Sequence, residues 1–432
     1  MSREMKDSGV EWIGMIPVDW RVIKNKYVLK DMYSGGTPTA SDERFYSLTE
    51  GVPFIGIGDM SSTPFIMKSK KMVTDLGIQD KRLRILDEGS ILYSIYATIG
   101  AVSELKIKAT ISQAMLALTL KSSFDKRFYK YNLLAMRDYI YFNANGNTQF
   151  NLNAEAVRNF WLCFPQLQQQ KRISNFLDAQ CVEIDSVLIR TRASIEEYKK
   201  LKQAVITQAV TKGIRGKRPM KDSGVEWIGS IPEDWKVFRV ANLYQEASDK
   251  GNDELPILTV SINSGVSDRE LSDEESERVF VRSEDRSKYK RVQPGDLVYN
   301  MMRAWQGAFG AVRVDGMVSP AYVVARPMEQ LDSRYVEYLF RTPEAIEEMH
   351  RYSYGVADFR LRLYWPQFRN IRMCVPSYEE QVEIADYIDS KVQEILALIQ
   401  KKEQYLVELE NYKKSLIYEY VTGKKEVLNH GA

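Results

Sequence analysis

The chain has 432 residues, 44% of them hydrophobic and 27% charged, and its formal net charge is +2. These values fit a globular protein of two or three domains and exclude a uniformly basic nucleic-acid binder, so a DNA-binding surface would need local patches. No apolar run reaches the roughly 18 residues of a membrane span, and the charged N-terminus predicts no signal peptide.

Residues 5–14 read MKDSGVEWIG, and the same ten residues recur at 220–229. The likeness continues in residues 15–22 and 230–237, so the chain contains a duplicated unit. Each copy begins with a compact apolar turn that holds two tryptophans, Trp12 and Trp20 in the first and Trp227 and Trp235 in the second. Two interpretations stay open for these side chains: core packing at the end of a helix, or a partner-docking point used once per copy.

The regions that follow, residues 35–160 and 245–370, share few landmarks. GSILYS at 89–94 resembles GDLVYN at 295–300, and short β-rich runs broken by Gly, Pro and Asp precede shorter helical stretches. Each copy is therefore predicted to be an α+β globule followed by a long helix. The start and the long helix of each copy are repeated, whereas the globules between them differ. This pattern favours a protein that presents two different recognition surfaces.

Two long helices are predicted, because no Gly or Pro interrupts the stretches from Pro165 to Gly213 and from Pro376 to Gly423. About 44 residues at 1.5 Å each give a helix of roughly 65 Å. Each carries an apolar stripe that needs a partner, so we expect an antiparallel coiled coil; separate hairpins or dimerisation arms are the alternative. The predicted stripe residues are Ile184, Val187, Tyr198, Leu201 and Val205 in the first helix and Ile395, Leu398, Leu409, Tyr412 and Leu416 in the second.

Clustered Lys and Arg in the variable regions predict phosphate contacts, while Arg, Asn and Gln are suited to reading bases. Residues 68–84, 282–291 and 351–372 contain six, five and five basic residues against two, two and one acidic residues. For each residue, a solvated or salt-bridged surface charge is the alternative. The DNA-binding candidates are Lys68, Lys70, Lys71, Arg82, Arg84, Asn147, Gln149, Arg286, Lys288, Lys290, Arg303, Arg360 and Arg362.

The sequence resembles the specificity (S) subunit of type I restriction–modification systems over about residues 10–423. The resemblance is carried by SGVEWIGMIPVDW and SGVEWIGSIPEDW, SGGTPTASDERFY at 34–46, GSILYSIYATIGAV at 89–102, and residues 147–173 and 354–384. The second globule lacks the GGTP phrase of the first, so loop roles do not transfer directly from one half to the other.

The resemblance implies an α+β fold in which two variable target recognition domains are joined by two long helices in an antiparallel coiled coil, with a pseudo-twofold internal repeat. The domains would be 1–165 and 213–376, the helices 166–212 and 377–425, and the tail 426–432. Each domain would read one half of a bipartite, asymmetric site on double-stranded DNA, and the helices would set the unread spacer.

The three cysteines have no metal spacing and predict a reducing, cytoplasmic location without a metal site. The same resemblance implies a subunit without catalysis or a cofactor of its own. It would dock two methyltransferase subunits that use S-adenosylmethionine for DNA adenine methylation. Two ATP-driven restriction subunits would optionally join and give the complex endonuclease activity.

A self-contained methyltransferase or nuclease is the alternative function. FIGIG at 54–58 resembles a cofactor-binding loop, but DMSSTPFI follows where a helix is needed, and the chain has no Pro-Pro tetrad and no P-loop. Two histidines and three cysteines without metal spacing do not supply a zinc site or a catalytic triad. A duplicated scaffold that binds no DNA is the third interpretation.

Overall fold

The computed structural model describes residues 3–60, 64–146, 152–252, 254–262, 264–270, 288–355 and 361–427. The chain divides into two compact units: unit 1 comprises Met1–Thr191 and Gln404–Ala432, and unit 2 comprises Arg192–Glu403. None of the described helices is both long enough and apolar enough to cross a bilayer.

The variable part of unit 1 contains short strands and helices and is followed by one long helix, α7. Its strands are β1 Met5–Asp7, β2 Met15–Pro17, β3 Arg21–Lys24, β4 Leu29–Ser34, β5 Tyr46–Ser47, β6 Val52–Ile55, β7 Phe65–Ile66, β8 Lys71–Val73, β9 Ile91–Ser94, β10 Val102–Leu105, β11 Thr110–Ile111, β12 Met115–Leu120 and β13 Trp161–Phe164. Its helices are α1 Asn25–Val28, α2 Ile57–Met60, α3 Asp75–Lys81, α4 Lys126–Ala135, α5 Arg137–Gly146 and α6 Ala154–Arg158, and α7 spans Leu167–Lys212.

Two sheets form the globule of unit 1, in the orders β4-β12-β9-β10-β7 and β11-β6-β8-β5. All four residues of β9 are buried, because both faces of the larger sheet are covered. Ile91 and Tyr93 face the main core of the unit, whereas Leu92 faces a second core under the smaller sheet. Alternate residues of one strand thus serve two cores, as the pleat of a strand requires.

Unit 2 repeats this plan with different strands. They are β14 Met220–Asp222, β15 Ser230–Pro232, β16 Lys236–Arg239, β17 Tyr244–Ala247, β18 Val260–Ser261, β19 Gly265–Val266, β20 Lys290–Val292, β21 Leu297–Asn300, β22 Phe309–Ala311, β23 Gly316–Val318, β24 Tyr322–Pro327 and β25 Arg372–Val375. The helices are α8 Ser333–Phe340, α9 Pro343–Arg351, α10 Trp365–Phe368 and α11 Tyr378–Val421.

The central sheet of unit 2 has the order β17-β24-β21-β22, which matches β4-β12-β9-β10 of unit 1. Leu297 and Tyr299 of β21 face the main core and Val298 faces a smaller one, as in β9. The pairs β3-β13 and β16-β25 connect each globule to the long helix that follows it. The similarity of GSILYS and GDLVYN therefore marks the same central strand in the two copies.

One repeated glutamine explains part of the sequence shared by the two long helices. The Gln170 side chain accepts a hydrogen bond from the Asp125 backbone N–H at 2.9 Å and donates to the Pro165 carbonyl at 2.9 Å. Gln381 makes the same two contacts in unit 2, at 3.0 and 3.1 Å. The same anchor fastens each helix to the domain before it.

The repeated turn at the start of each copy has the same hydrogen bonds twice. The Ser8 N–H donates to the Gly14 carbonyl at 3.1 Å, and the Ser223 N–H donates to the Gly229 carbonyl at 3.0 Å. Gly14 and Gly229 have φ angles of 67° and 68°. Only glycine adopts this left-handed conformation without a penalty, so the turn requires glycine in both copies.

The two predicted long helices are confirmed as α7, with 46 residues, and α11, with 44. Within unit 1 the ring centroids of Phe176 and Tyr420 lie 4.5 Å apart, and Asp185 lies 2.6 Å from Lys413. Within unit 2 the Lys402 amine lies 5.6 Å from the Tyr198 ring centroid. Residue numbers rise along one helix as they fall along the other, so the helices are antiparallel, as predicted.

The predicted apolar stripes are only partly correct. Ile184, Ile395 and Leu416 are buried, but Leu201, Leu398 and Tyr412 are 47%, 42% and 52% exposed. The buried seam of α7 runs through steps of three and four residues that include a polar side chain, Thr191. Several sets of residues on an α-helix are spaced by three and four positions, and more than one set contains apolar side chains. Apolar character alone therefore did not identify the set that is buried. The buried seam residues of α7 are Ile173, Leu177, Cys181, Ile184, Leu188, Thr191 and Ile195.

Candidate nucleic-acid interface

Several loops of unit 1 meet at one end of its larger sheet. The C-terminal ends of β4 and β9 lie beside the N-terminal end of β12, because Ser34 pairs with Leu116 and Ser94 with Met115. The loops 35–40, 95–101 and 112–114 therefore lie side by side, and we call them the loop end of unit 1.

Close backbone contacts hold this loop end together. The Gly35 N–H donates to the Met115 carbonyl at 3.2 Å, and a Cβ on Gly35 would lie 2.2 Å from the Ser112 carbonyl oxygen. Only glycine fits there. The contact brings Thr37 beside Gln113, whose backbone N–H donates to the Thr37 hydroxyl oxygen at 3.3 Å. The Gln113 side chain is exposed and carries the amide group that can read adenine.

Tyr96 is the large exposed side chain of the same loop end, at 59% exposure. The next residue, Ala97, has a φ of 55°, which is strained for a residue with a Cβ. The Ser94 hydroxyl donates to the Tyr96 carbonyl at 2.8 Å and the Gly100 N–H to the Ser94 carbonyl at 3.0 Å, so the turn is held in this shape. An exposed ring on a fixed loop is suited to stacking on a base.

Lys70 is a predicted phosphate ligand that lies beside a turn tied to this loop end. The Ser112 N–H donates to the Ile55 carbonyl at 3.0 Å, which ties the turn after β6 to the loop end. The Lys70 amine lies 4.0 Å from the point that a Cβ on Gly58 of this turn would occupy. Lys68 and Lys71 are also exposed, and the Lys71 amine lies 5.7 Å from the Tyr46 ring centroid.

The two predicted arginines of unit 1 differ in their surroundings. Arg84 donates to Asp31 at 2.5 Å and its guanidinium lies 6.0 Å from the Tyr33 ring centroid, so it is a salt-bridged surface charge. Arg82 is exposed and ends α3 with a φ of 51°. Contact with DNA stays a prediction for both.

Unit 2 has a corresponding loop end, made of residues 248–251, 301–308, 319–321 and 361–364. Asn300 at the end of β21 pairs with Tyr322 at the start of β24. The Leu363 N–H donates to the Met301 carbonyl at 2.8 Å, which brings the segment around Arg362 to the loop that carries Arg303. The structure thus places two arginines that are distant in sequence at one end of the sheet.

Exposed aromatic and sulfur side chains surround these arginines. Tyr354 is 65% exposed and exchanges two backbone hydrogen bonds of 2.9 Å with the exposed Arg362. Tyr364 and Met302 are each 42% exposed. Arg303 is half-buried. An arginine between aromatic rings can donate two hydrogen bonds to guanine and also stack.

Lys290 has a structural contact at this end, since its amine donates to the Tyr322 carbonyl at 2.9 Å. Lys288 is exposed. Asn147, Gln149, Arg286 and Arg360 lie outside the described residues.

The sequence did not single out Tyr96 and Gln113 in unit 1, whereas Tyr354 and Tyr364 in unit 2 lie inside the predicted basic and aromatic segment 351–372. For Tyr96 the available signal is the similarity between GSILYS and GDLVYN, because the residues after this strand form part of the loop end in both units.

The predicted docking tryptophans pack inside their units. Trp20 and Trp235 are 1% and 0% exposed, and Trp12 is 8% exposed with its indole N–H donating to the Trp161 carbonyl at 3.1 Å. Trp227 is half-buried. Core packing therefore describes these rings, and a partner would contact the exposed residues of the same turn. Docking at the turn stays a prediction.

A buried carboxylate gathers three lysines on the surface of unit 1. Glu104 on β10 has a side chain that is 7% exposed, and it lies 2.8, 3.2 and 3.1 Å from Lys106, Lys126 and Lys130. Burial alone would raise the pKa of Glu104, but hydrogen bonds and charge from these lysines lower that pKa to about 2. The cluster therefore keeps a net positive charge, which suits a surface near DNA.

The FIGIG segment, the possible metal ligands and the cysteines bear on the alternative of a self-contained enzyme. The strand β6 ends inside FIGIG at Ile55, and the single helical turn α2 spans Ile57–Met60, where the Gly56 N–H donates to Asp59 at 2.9 Å. Residues 61–63 lie outside the described residues and β7 begins at Phe65, so the described part of DMSSTPFI contains only the end of this turn and no longer helix. No group of three His, Cys, Asp or Glu could hold a metal in the described part of the chain. Burial raises the pKa of the Cys163 and Cys374 thiols to about 12, so both are protonated at neutral pH.

Comparisons with known proteins agree with this architecture. Residues 17–196 match the family described as "Type I restriction modification DNA specificity domain". The chain is similar to the type I restriction enzyme MjaVIII specificity subunit of Methanocaldococcus jannaschii, with 22% identity over 96% of this chain and 95% of that one. It is also similar to the EcoBI specificity subunit of Escherichia coli, with 23% identity over 66% of this chain and 65% of that one.

Two solved structures share the fold. One is from work on "complex assembly and conformational transition of the type I R-M system", with a TM-score of 0.68, 14% identity, and coverage of 95% of this chain and 99% of that chain. The other is the HsdS subunit from Thermoanaerobacter tengcongensis, with a TM-score of 0.53, 15% identity, and coverage of 97% and 100%. Residues 17–196 therefore match the DNA specificity domain of type I restriction–modification systems, and the chain over nearly its whole length is similar to their specificity subunits.

Proposed function

We propose that the two loop ends read the two halves of a bipartite, asymmetric DNA site, one half per unit. The observation that carries this proposal is that the frames make the same contacts in both units while the loop ends differ. Gln170 and Gln381 anchor their helices alike. In contrast, unit 1 exposes Tyr96 where unit 2 exposes Met302. Two different surfaces on one scaffold suit two different half-sequences.

The chemistry of each loop end supports base reading in the major groove. In unit 1 the exposed amide of Gln113 would pair with adenine, Tyr96 would stack, and Lys70 would contact phosphate. In unit 2 Arg303 and Arg362 would read guanine. Phosphate contacts position the domain and base contacts give the specificity.

The remaining roles concern partners. The chain would dock two methyltransferase subunits, which supply S-adenosylmethionine and the adenine methylation, and restriction subunits would supply ATP-driven cleavage. The long helices would set the length of the unread spacer, since 46 and 44 residues correspond to rods of roughly 65 to 70 Å. The chain itself would transfer no methyl group.

A domain exchange tests the proposal. Residues 238–370 are replaced by the same region of a relative with a different target, and the methylated site is sequenced in cells that also express the methyltransferase subunit. We expect one half of the site to change and the other to stay. A change in both halves would show that the units do not read independently. Methyl transfer by the purified chain alone would favour the self-contained methyltransferase.

A further inference from the structure

Two arginines of unit 2 face each other across a strand pair in a repulsive arrangement. The register of β16 and β25 places Arg239 directly opposite Arg372. Like charges at directly opposite positions destabilise an antiparallel pair. The matched position in unit 1 holds Lys24 opposite Trp161, with the Lys24 amine 5.0 Å from the ring centroid, a favourable cation–π contact. Unit 2 therefore has a repulsive pair at the position where unit 1 has a favourable one.

Nothing in the described residues neutralises the two arginines. Both side chains are exposed, and neither guanidinium has an ion pair or an acceptor among the described side chains. They line a cavity of about 400 Å³ together with Tyr352, Asn370, Glu226 and Glu348.

The two carboxylates of this cavity form ion pairs with another arginine. Arg351 lies 3.2 Å from Glu226 and 3.6 Å from Glu348. Among the described residues, the ion pairs of Glu226 and Glu348 involve Arg351 and not Arg239 or Arg372, so the cavity has two unpaired guanidinium groups beside two paired acids. A sequence that breaks a local rule without an internal compensation points to a functional site.

We propose that Arg239 and Arg372 bind an acidic side chain of the methyltransferase subunit that docks on unit 2, an inference that rests on the docking role proposed above. Two adjacent guanidinium groups can donate several charge-assisted hydrogen bonds to one carboxylate. The bound carboxylate would also remove the repulsion between the strands.

A protein partner fits this cavity better than DNA. The cavity includes Gly224 and Val225 of the repeated turn, which belongs to the constant frame and not to the variable loop end. A DNA backbone carries a row of phosphates and would bring further negative charge towards Glu226 and Glu348, whereas a protein segment can present a single carboxylate to the arginines and neutral polar groups to the acids. Since unit 1 has Lys24 and Trp161 at the matched positions, the two methyltransferase subunits would be held by different contacts.

The test measures how many methyltransferase subunits stay bound as salt is raised. The full chain is purified with its methyltransferase subunit, and native mass spectrometry and titration compare the wild type with Arg239→Gln/Arg372→Gln. Arg369→Gln is the matched control, because Arg369 is an exposed arginine of the same segment outside the cavity. We expect the double variant to bind one of the two subunits about tenfold more weakly, and the control to behave as the wild type.

A second variant protects the test against misfolding. Arg239→Lys/Arg372→Trp recreates the pair that unit 1 already accommodates, and it should fold and show the same selective loss. Unchanged affinity for both subunits in the two double variants would overturn the proposal. Weaker DNA binding with unchanged subunit binding would assign the arginines to phosphate instead. If the wild-type chain bound no methyltransferase subunit, the docking role itself would be wrong.

Discussion

The guanidinium of Arg218 donates to the carboxylate of Glu380, whose side chain is only 1% exposed. The same carboxylate accepts a hydrogen bond from the Trp235 indole N–H at 3.2 Å. This buried pair joins the segment at the start of the second copy to the start of α11. Gln169 occupies the matched position in α7.

Without that carboxylate, the matched site of unit 1 is incomplete. Arg3 lies 5.6 Å from the Trp20 ring centroid, as Arg218 does at 5.4 Å from Trp235. The Trp20 indole nitrogen and one Arg3 guanidinium nitrogen are buried without a hydrogen-bond partner in the described residues. A buried donor without an acceptor costs about 1 to 3 kcal/mol.

Substitutions at Glu380 and at the matched Gln169 should change the stability of the two units in opposite directions. Glu380→Gln removes the buried charge that pairs with Arg218 and leaves Arg218 only Asp234, 3.6 Å away, so we expect a loss of about 3 kcal/mol in the free energy of unfolding of unit 2. Gln169→Glu supplies the missing acceptor and should stabilise unit 1 by about 1 kcal/mol. Denaturant unfolding with hydrogen exchange as a unit-specific probe measures both. Equal small effects of the two substitutions would contradict the asymmetry.

The lysine cluster around Glu104 predicts an acid-sensitive contribution to stability. The pKa of Glu104 is lowered from 4.5 to about 2 in the folded protein, so the ionised form stabilises the fold above pH 4.5. This contribution, about 3 kcal/mol, is lost as the pH falls through 2. We expect the difference in unfolding free energy between wild type and Glu104→Gln to be largest at pH 7 and to shrink below pH 4.5. A difference that is the same at pH 7 and pH 3 would exclude this mechanism.

Tyr96 should contribute to binding of one half-site only. Tyr96→Ala removes the proposed stacking and should weaken binding of the complex to its DNA site by about 1 to 3 kcal/mol. Tyr27→Ala is the matched control, since Tyr27 is also 59% exposed. It lies before the first residue of β4, whereas the loop end follows the last residue of this strand. Fluorescence anisotropy with the specific duplex measures both variants. Equal losses for the two substitutions would argue against a role for the loop end.

The frame of this protein could be predicted from its sequence because its contacts are local and repeated. Gln170 and Gln381 align, and each bonds to a proline carbonyl five residues before it. The helix boundaries follow from Pro and Gly. Because the same segments occur twice in one chain, the two α+β units and the two long helices could be predicted without knowledge of their contacts.

The loop ends could not be predicted in the same way, because they depend on pairing between distant segments. Arg84 is neutralised by Asp31, 53 positions earlier, and Arg362 reaches the loop end only through the Leu363–Met301 hydrogen bond. Leu201 fails for a related reason, since the partner helix determines which apolar row is buried.

The two long helices are predicted to set the distance between the two half-sites on DNA. The chain passes from unit 1 to unit 2 after Thr191 in α7 and returns to unit 1 after Glu403 in α11. Inserting four residues after each of them lengthens both helices by about 6 Å and turns them by roughly 40°. Since B-DNA advances about 3.4 Å per base pair, the change corresponds to one or two base pairs. Methylome sequencing should show both half-sequences unchanged and one or two additional unread positions between them.

A one-sided insertion provides the control for this experiment. Four residues added after Thr191 alone shift α7 against α11, so the pairs Phe176–Tyr420 and Tyr198–Lys402 cannot both form with an uninterrupted helix. We expect this variant to unfold more readily than the two-sided one, because it loses register in one unit. An active two-sided variant that methylates sites with the original spacer would show that the helices do not set the distance between the half-sites.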